Sequence, residues 1–100
     1  MTIAYYVGGT GTGKTTLMME HAKRRAAERA VPLLLMDSEG VVGADKFEGE
    51  TAPTVQRLVD LVWKEGRHAR FIPKEPEEVE AVSRAIRAGG GVVLAVDEVS

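Results

Sequence analysis

Residues 8–15 read Gly-Gly-Thr-Gly-Thr-Gly-Lys-Thr, with Gly8, Gly13, Lys14 and Thr15 at the fixed positions of G-x-x-x-x-G-K-[ST]. A chain with this spacing can wrap a polyphosphate. Consecutive peptides that turn inward aim their N–H groups at one anion, and such nests favour glycine. Gly8, Gly9, Gly11 and Gly13 supply four positions that reach positive φ without a Cβ penalty. A helix opening directly after the loop would point its free N–H groups and the positive end of its dipole at the same charge. The pattern places the Lys14 ammonium on the β- and γ-phosphates and the Thr15 hydroxyl on Mg²⁺.

A second cluster closes the chain. Residues 92–98 read Val-Val-Leu-Ala-Val-Asp-Glu, an apolar run followed by two acids. In a protein with a phosphate loop, an acid at the end of such a strand can hold the magnesium that bridges the β- and γ-oxygens. That role falls to Asp97. The next carboxylate, Glu98, is suited to orient and deprotonate an attacking water. The plain alternative is a buried strand that ends in a polar turn.

Elements must position these groups, and the hydropathy pattern supplies them. A β-rich run covers residues 3–7, and helical composition follows over residues 14–30. Leu17, Met18, Ala22, Ala26 and Ala30 form an expected packing stripe on that helix. Residues 32–36 are apolar without alternation, as in a strand buried on both faces. Residues 38–52 are glycine-rich and acidic and read as a loop. A helix is expected over residues 54–65, with Gly66 as its stop, then a strand over residues 69–72. A third helix starts at Pro76, with Glu77, Glu78 and Glu80 early and Arg84 and Arg87 late. Residues 89–91, three glycines, end it, and a strand follows over residues 92–96. The order β-α-β-α-β-α-β argues for an α/β fold, a parallel sheet with helices on its faces. Ligands then sit at the carboxyl ends of the strands, where the loop, Asp37 and Asp97 all fall.

Composition narrows the class. The 100 residues suit one domain, 44% of them are hydrophobic, and the formal charge is −2. No overall basic signature for nucleic acid is present, although a local patch remains open. The absence of cysteine excludes a disulfide framework, a zinc knuckle and a thiol nucleophile. No apolar run approaches the length of a membrane span, and no signal-peptide pattern opens the chain. A soluble, cytoplasmic protein with no membrane partner is expected.

These motifs make the chain resemble the P-loop ATPases of the RecA-like and HerA/FtsK-like branch. GGTGTGKTT looks like that group's Walker A, and LLLMDSEG looks like its second strand. RFIPKEPEEVEAVSRAI followed by GGGVVLAVDEVS looks like its strand–helix–Walker B passage. The resemblance implies a three-layer α/β core with a mostly parallel sheet. It implies that Gly8, Gly9, Thr10, Gly11, Thr12, Gly13, Lys14, Thr15 and Thr16 bind ATP, with Lys14 also catalytic. Asp97 would act with Thr15 on Mg²⁺, and Glu98 would be the general base. RecA itself carries its glutamate after the second strand, where this chain has Glu39; Glu98 is preferred because it directly follows the metal acid. The activity implied is ATP hydrolysis that drives DNA translocation or viral genome packaging in a ring of identical subunits.

In that branch a further strand follows Walker B and lies between the Walker A and Walker B strands. The chain stops at Ser100. An N-terminal piece of a longer core is therefore expected, with a gap at the centre of the sheet. Two other functions compete: a small-molecule phosphotransferase of the nucleotide-kinase kind, and a nucleotide-binding fragment without turnover. Elsewhere the expectations are modest. His21 reads as a solvated histidine, Met18 and Met19 as packing residues, and Trp63 and Phe71 as core or interface. Arg67, His68 and Arg70 form a small basic cluster, read as a solvated loop in preference to a contact with DNA or a neighbour's nucleotide. Asp37 either senses magnesium or simply ends its strand.

Overall fold

A computed structural model describes the backbone of residues 3–7, 14–38, 40 and 47–97, and the side chains of these from residue 17 onward. Among these residues five strands form one sheet in the order β1-β5-β2-β4-β3, every pair parallel. The strands are β1 (Ile3–Val7), β2 (Leu33–Asp37), β3 (Glu50–Ala52), β4 (Ala69–Phe71) and β5 (Val93–Asp97). Between them run α1 (Lys14–Arg29), α2 (Val55–Val59) and α3 (Pro76–Gly89).

The topology follows from the handedness of parallel crossovers. From β1 to β2 the chain moves one way across the sheet; from β3 to β4 and from β4 to β5 it moves the other way. Right-handed connections that run in opposite directions must put their helices on opposite faces. Accordingly α1 packs over β1, β5 and β2. Its Met18, Met19, Ala22 and Ala26 meet Leu33, Leu35, Val93, Ala95 and Phe47. On the other face α2, the turn after it and α3 bury Leu58, Leu61, Val62 and Val82 against Leu34, Met36, Phe71 and Leu94. Consecutive residues of β2 and β5 thus serve opposite cores, which is why those strands read as apolar without alternation.

Several elements differ from the sequence reading. Residues 50–52, expected in a loop, form β3 at the sheet edge, parallel to β4. The second helix changes pitch: Asp60–Lys64 is a π-helical turn, in which the Glu65 N–H donates to the Asp60 carbonyl at 2.9 Å. The α1 stripe excludes Leu17, which is 57% exposed, and Ala30, which lies beyond the helix at φ 54°. Met19 takes the expected place of Leu17 in the core. Both β2 and β5 end one residue later than expected, so Asp37 and Asp97 belong to the strands themselves. The expected central gap is absent. β1 pairs directly with β5 over five register positions, from Ile3 with Val93 to Val7 with Asp97.

The helix ends are set locally. Thr54 accepts the Arg57 N–H at 3.1 Å and caps α2. The Glu78 side chain accepts the N–H groups of Lys74 and Glu75, at 2.7 and 3.1 Å, and fixes the first turn of α3. Gly90, at φ 58°, ends α3, and its carbonyl accepts the Trp63 indole N–H at 2.9 Å. That bond ties the π-helical turn to the end of α3. Gly89 makes the approach possible, because a Cβ there would meet the Trp63 ring.

Candidate functional site

The carboxyl ends of β1, β5 and β2 lie side by side in register: Val7 opposite Asp97, and Asp97 opposite Asp37. Val7 is the residue before the glycine-rich motif, and α1 starts at Lys14. The chain therefore leaves β1 beside Asp97 and begins α1 seven residues after Val7, with Lys14 and Thr15 in the first turn. Strand, motif and helix start stand in the order that a phosphate loop requires. Residues 8–13, Glu39 and Glu98 lie outside the described residues, as do the side chains of Lys14, Thr15 and Thr16.

Asp37 and Asp97 are the two buried charged residues among those described, 0% and 8% exposed. Alternation along each strand sets their direction. Leu33 and Leu35 face α1, so Asp37 does too; Val93 and Ala95 face α1, so Asp97 does too. Both carboxylates thus lie on the face that carries α1, at the end where α1 begins. Asp37 Oδ1 accepts the Gly40 N–H at 3.0 Å, and the backbone ladder continues past the strand end, with the Ser38 N–H donating to the Asp97 carbonyl at 3.2 Å. Asp97 is likewise partnered, and among the described residues no buried polar side-chain atom lacks a hydrogen bond.

The connections leave a crevice at this end. β1 sends its chain to one face of the sheet, while β4 sends its chain to α3 on the other. The ends of β5 and β2 fall between them, at the position where open α/β sheets take ligands. On the α3 side a cavity of about 210 Å³ opens at the same end, lined by Met36, Pro73, Val79, Val82, Ile86 and Val96. A second cavity, about 620 Å³, lies at the opposite end of the sheet among Glu48, Glu50, Arg67 and His68, away from the motif strands.

Magnesium is usually held by one or two carboxylates together with substrate phosphates and water. The hard oxygens of Asp97, with Asp37 beside it, fit that requirement. Among the described residues no group of three or more His, Cys, Asp or Glu is placed to hold a metal by itself.

Arg70 belongs to this neighbourhood, although sequence reasoning grouped it with a loop cluster. Its register partner on β2 is Leu35, so its side chain rises on the α1 face. There Nη1 lies 3.5 Å from Asp37 Oδ2, and Nε donates to Thr51 Oγ1 at 3.0 Å. The usable signal was its place between Ala69 and Phe71, both buried toward the opposite face. The rest of the basic cluster points elsewhere. Arg67 contacts Glu65 and Glu50 at 3.4 and 3.7 Å. The same two carboxylates hold Arg57: the bond to Glu65 foremost keeps its guanidinium above the usual range, desolvation opposes this, and Glu50 adds to the rise. His68 Nδ1 accepts the Leu33 N–H at 2.8 Å, so its proton sits on Nε2. These contacts hold β3, the π-helical turn and the start of β2 together. His21 is exposed, Phe71 is core, and Trp63 is half-buried against the core.

In comparison with known proteins, the chain matches no family model, no curated protein and no solved structure.

Proposed function

We propose that this chain is a magnesium-dependent nucleoside-triphosphate-binding domain of the P-loop class that hydrolyses ATP. One observation carries most of the reading: Asp97, buried on the α1 face, is in register with Val7, the residue that leads into the Gly-rich motif. The strand that leads into one sequence pattern and the strand that belongs to the other thus end together at one end of one sheet.

In this reading the peptides of residues 8–13 and the start of α1 bind the phosphates, and Lys14 neutralises the β- and γ-oxygens. Thr15 and Asp97 hold Mg²⁺, which when bound offsets charge on the phosphoryl oxygens. Glu98 orients and deprotonates the attacking water, with Glu39 as the alternative base. The fixed sheet and helix start supply positioning and electrostatic stabilisation, which dominate phosphoryl transfer. On the resemblance to RecA-like and HerA/FtsK-like ATPases, hydrolysis would power DNA translocation or packaging in a homo-oligomeric ring.

A second reading has its own support. The direct pairing of β1 with β5 leaves no place for the strand that the translocase branch inserts there. To admit it, five register pairs would have to part. An undivided β1–β5 pair favours the small-molecule phosphotransferase, in which Asp97 keeps its role and an acceptor hydroxyl replaces water.

The test of the shared proposal is calorimetric titration with ATP and with GTP, with and without Mg²⁺. Wild type is expected to take up nucleotide in a magnesium-dependent way, and Lys14→Ala to lose most of that uptake while keeping its melting temperature. Uptake equal in the two proteins would remove the phosphate loop from the account. Adding double-stranded DNA or a nucleoside acceptor then separates the readings, according to which of them speeds ATP consumption.

A further inference from the structure

We infer that the cavity between α3 and the carboxyl ends of β2 and β5 is a binding site for a small neutral ligand, one apolar ring carrying a hydroxyl. The inference stands apart from the proposed nucleotide site, because the glycine-rich motif leads into α1 on the other face. It starts from uneven packing. Val79, Val82 and Ile86 lie three and four residues apart on α3, a single stripe for the sheet. Val82 is buried and Ile86 packs against the core, yet Val79, one turn nearer the helix start, is 44% exposed. The strands beneath show the same trend toward the same end. Leu34 and Val92 are sealed, Met36 and Leu94 keep a trace of exposure, and Val96 is half-buried. On the α1 face Leu33, Leu35, Val93 and Ala95 are all sealed, so the loosening belongs to one face. The bond from Trp63 to the Gly90 carbonyl fastens α3 at its far end. The helix start thus stands off the sheet over a wedge of about 210 Å³.

Volume and lining select the occupant. A cavity of about 150 Å³ lined by apolar side chains takes up benzene. The present one therefore accepts a single ring with a small substituent, and a helix about 10 Å across does not enter it. No charged side chain lines it, so an ionic ligand would give up its hydration without a counter-charge. The polar side chains in the lining are Ser38, just past β2, and Ser83, on α3. Their hydroxyls can each donate to or accept from a hydroxyl on the ring. Apolar walls with a few placed polar groups, at the strand ends of an open α/β sheet, are the usual make-up of a small-molecule site. Burial of Val79, Val96 and Met36 against the ring would supply the affinity.

The experiment is titration of the full chain, without nucleotide, against 4-fluorophenol, followed by fluorine NMR. Wild type is expected to bind it saturably, with a dissociation constant on the order of 1 mM for a molecule of that size. The charged analogue 4-fluorobenzoate should bind about tenfold more weakly or worse. Val79→Phe brings a ring of the protein's own into the wedge; it should weaken 4-fluorophenol at least about tenfold and keep or raise the melting temperature. Should Val79→Phe not fold, Ser83→Leu fills the same space from an exposed helix position, with the same loss expected. The absence of saturable binding to wild type overturns the inference, as does undiminished binding to the folded filling variant. Equal affinity for 4-fluorobenzoate overturns the assignment of a neutral ligand. Sedimentation of the same samples tests the other occupant: a wild-type dimer that Val79→Phe converts to monomer gives this face to a second copy and overturns the inference.

Discussion

Replacing Asp97 with asparagine separates a cation ligand from a polar residue that merely ends a strand. The change is nearly isosteric and removes one charge from a buried pair. Asp37 and Asp97 stand one strand spacing apart, and at about 5 Å and an effective dielectric constant of about 20 their repulsion is about 3 kcal/mol. Arg70, on the far side of Asp37, and the further partners of the pair offset part of that repulsion. If the partners of Asp97 leave about 1 kcal/mol of that repulsion in place, Asp97 carries the cost expected of a carboxylate kept for a cation. Asp97→Asn is therefore expected to raise the ligand-free melting temperature by about 4–8 °C in a chain of this length. It should also lose the magnesium-dependent part of ATP uptake while retaining weak, magnesium-independent binding through the loop.

The opposite role predicts the opposite signs. A structural aspartate, 8% exposed and partnered, would leave unsatisfied groups behind when changed, at a cost of about 1–3 kcal/mol. Thermal melts with and without MgATP, beside calorimetric titration, decide between the two. A less stable Asp97→Asn protein with undiminished magnesium-dependent uptake would refute the electrostatic reasoning and the assignment of Asp97 together.

Other outcomes follow from neighbouring groups. Glu98→Gln should keep nucleotide affinity within severalfold and lose phosphate release in a steady-state assay; if turnover is normal, Glu39→Gln is the variant that should abolish it. Gly89→Ala should destabilise the fold, because an added Cβ would lie 2.3 Å from Trp63 Nε1. Displacing that ring costs roughly 1–3 kcal/mol of overpacking, and breaking its bond to the Gly90 carbonyl adds about 1 kcal/mol. The gain in helix propensity, about 1 kcal/mol at most, does not offset these. A urea melt of Gly89→Ala should show a loss of about 1–3 kcal/mol, and a gain would mean that Trp63 is free to move aside.

The elements were legible where one physical signal dominated. The apolar runs of β2 and β5 announced strands covered on both faces, and a parallel sheet with helices on both sides follows from that. Pro76, Glu78 and Gly90 marked the ends of α3 through local chemistry that needs no tertiary partner. β3 was missed because Glu-Thr-Ala has little strand character of its own. Its pairing depends on β4, on the Arg70–Thr51 contact across 19 residues and on the nearer Arg57–Glu50 contact, none of which the three residues contain themselves. The π-helical turn was missed for a related reason: its extra residue per turn is absorbed where Trp63 must reach Gly90.

For the candidate site the division is sharper. Chemistry carried by adjacent residues, such as glycine spacing, a lysine and a threonine in sequence, or an acid after four apolar residues, is written along the chain, because each motif is a local property of the backbone. Which motifs become neighbours is not local. Sheet order sets β5 between β1 and β2, alternation turns Asp37 and Asp97 toward the same helix, and the register of β4 brings Arg70 to Asp37. Those choices arise from packing two apolar faces of one twisted sheet, a balance over the whole core that no short stretch of residues contains.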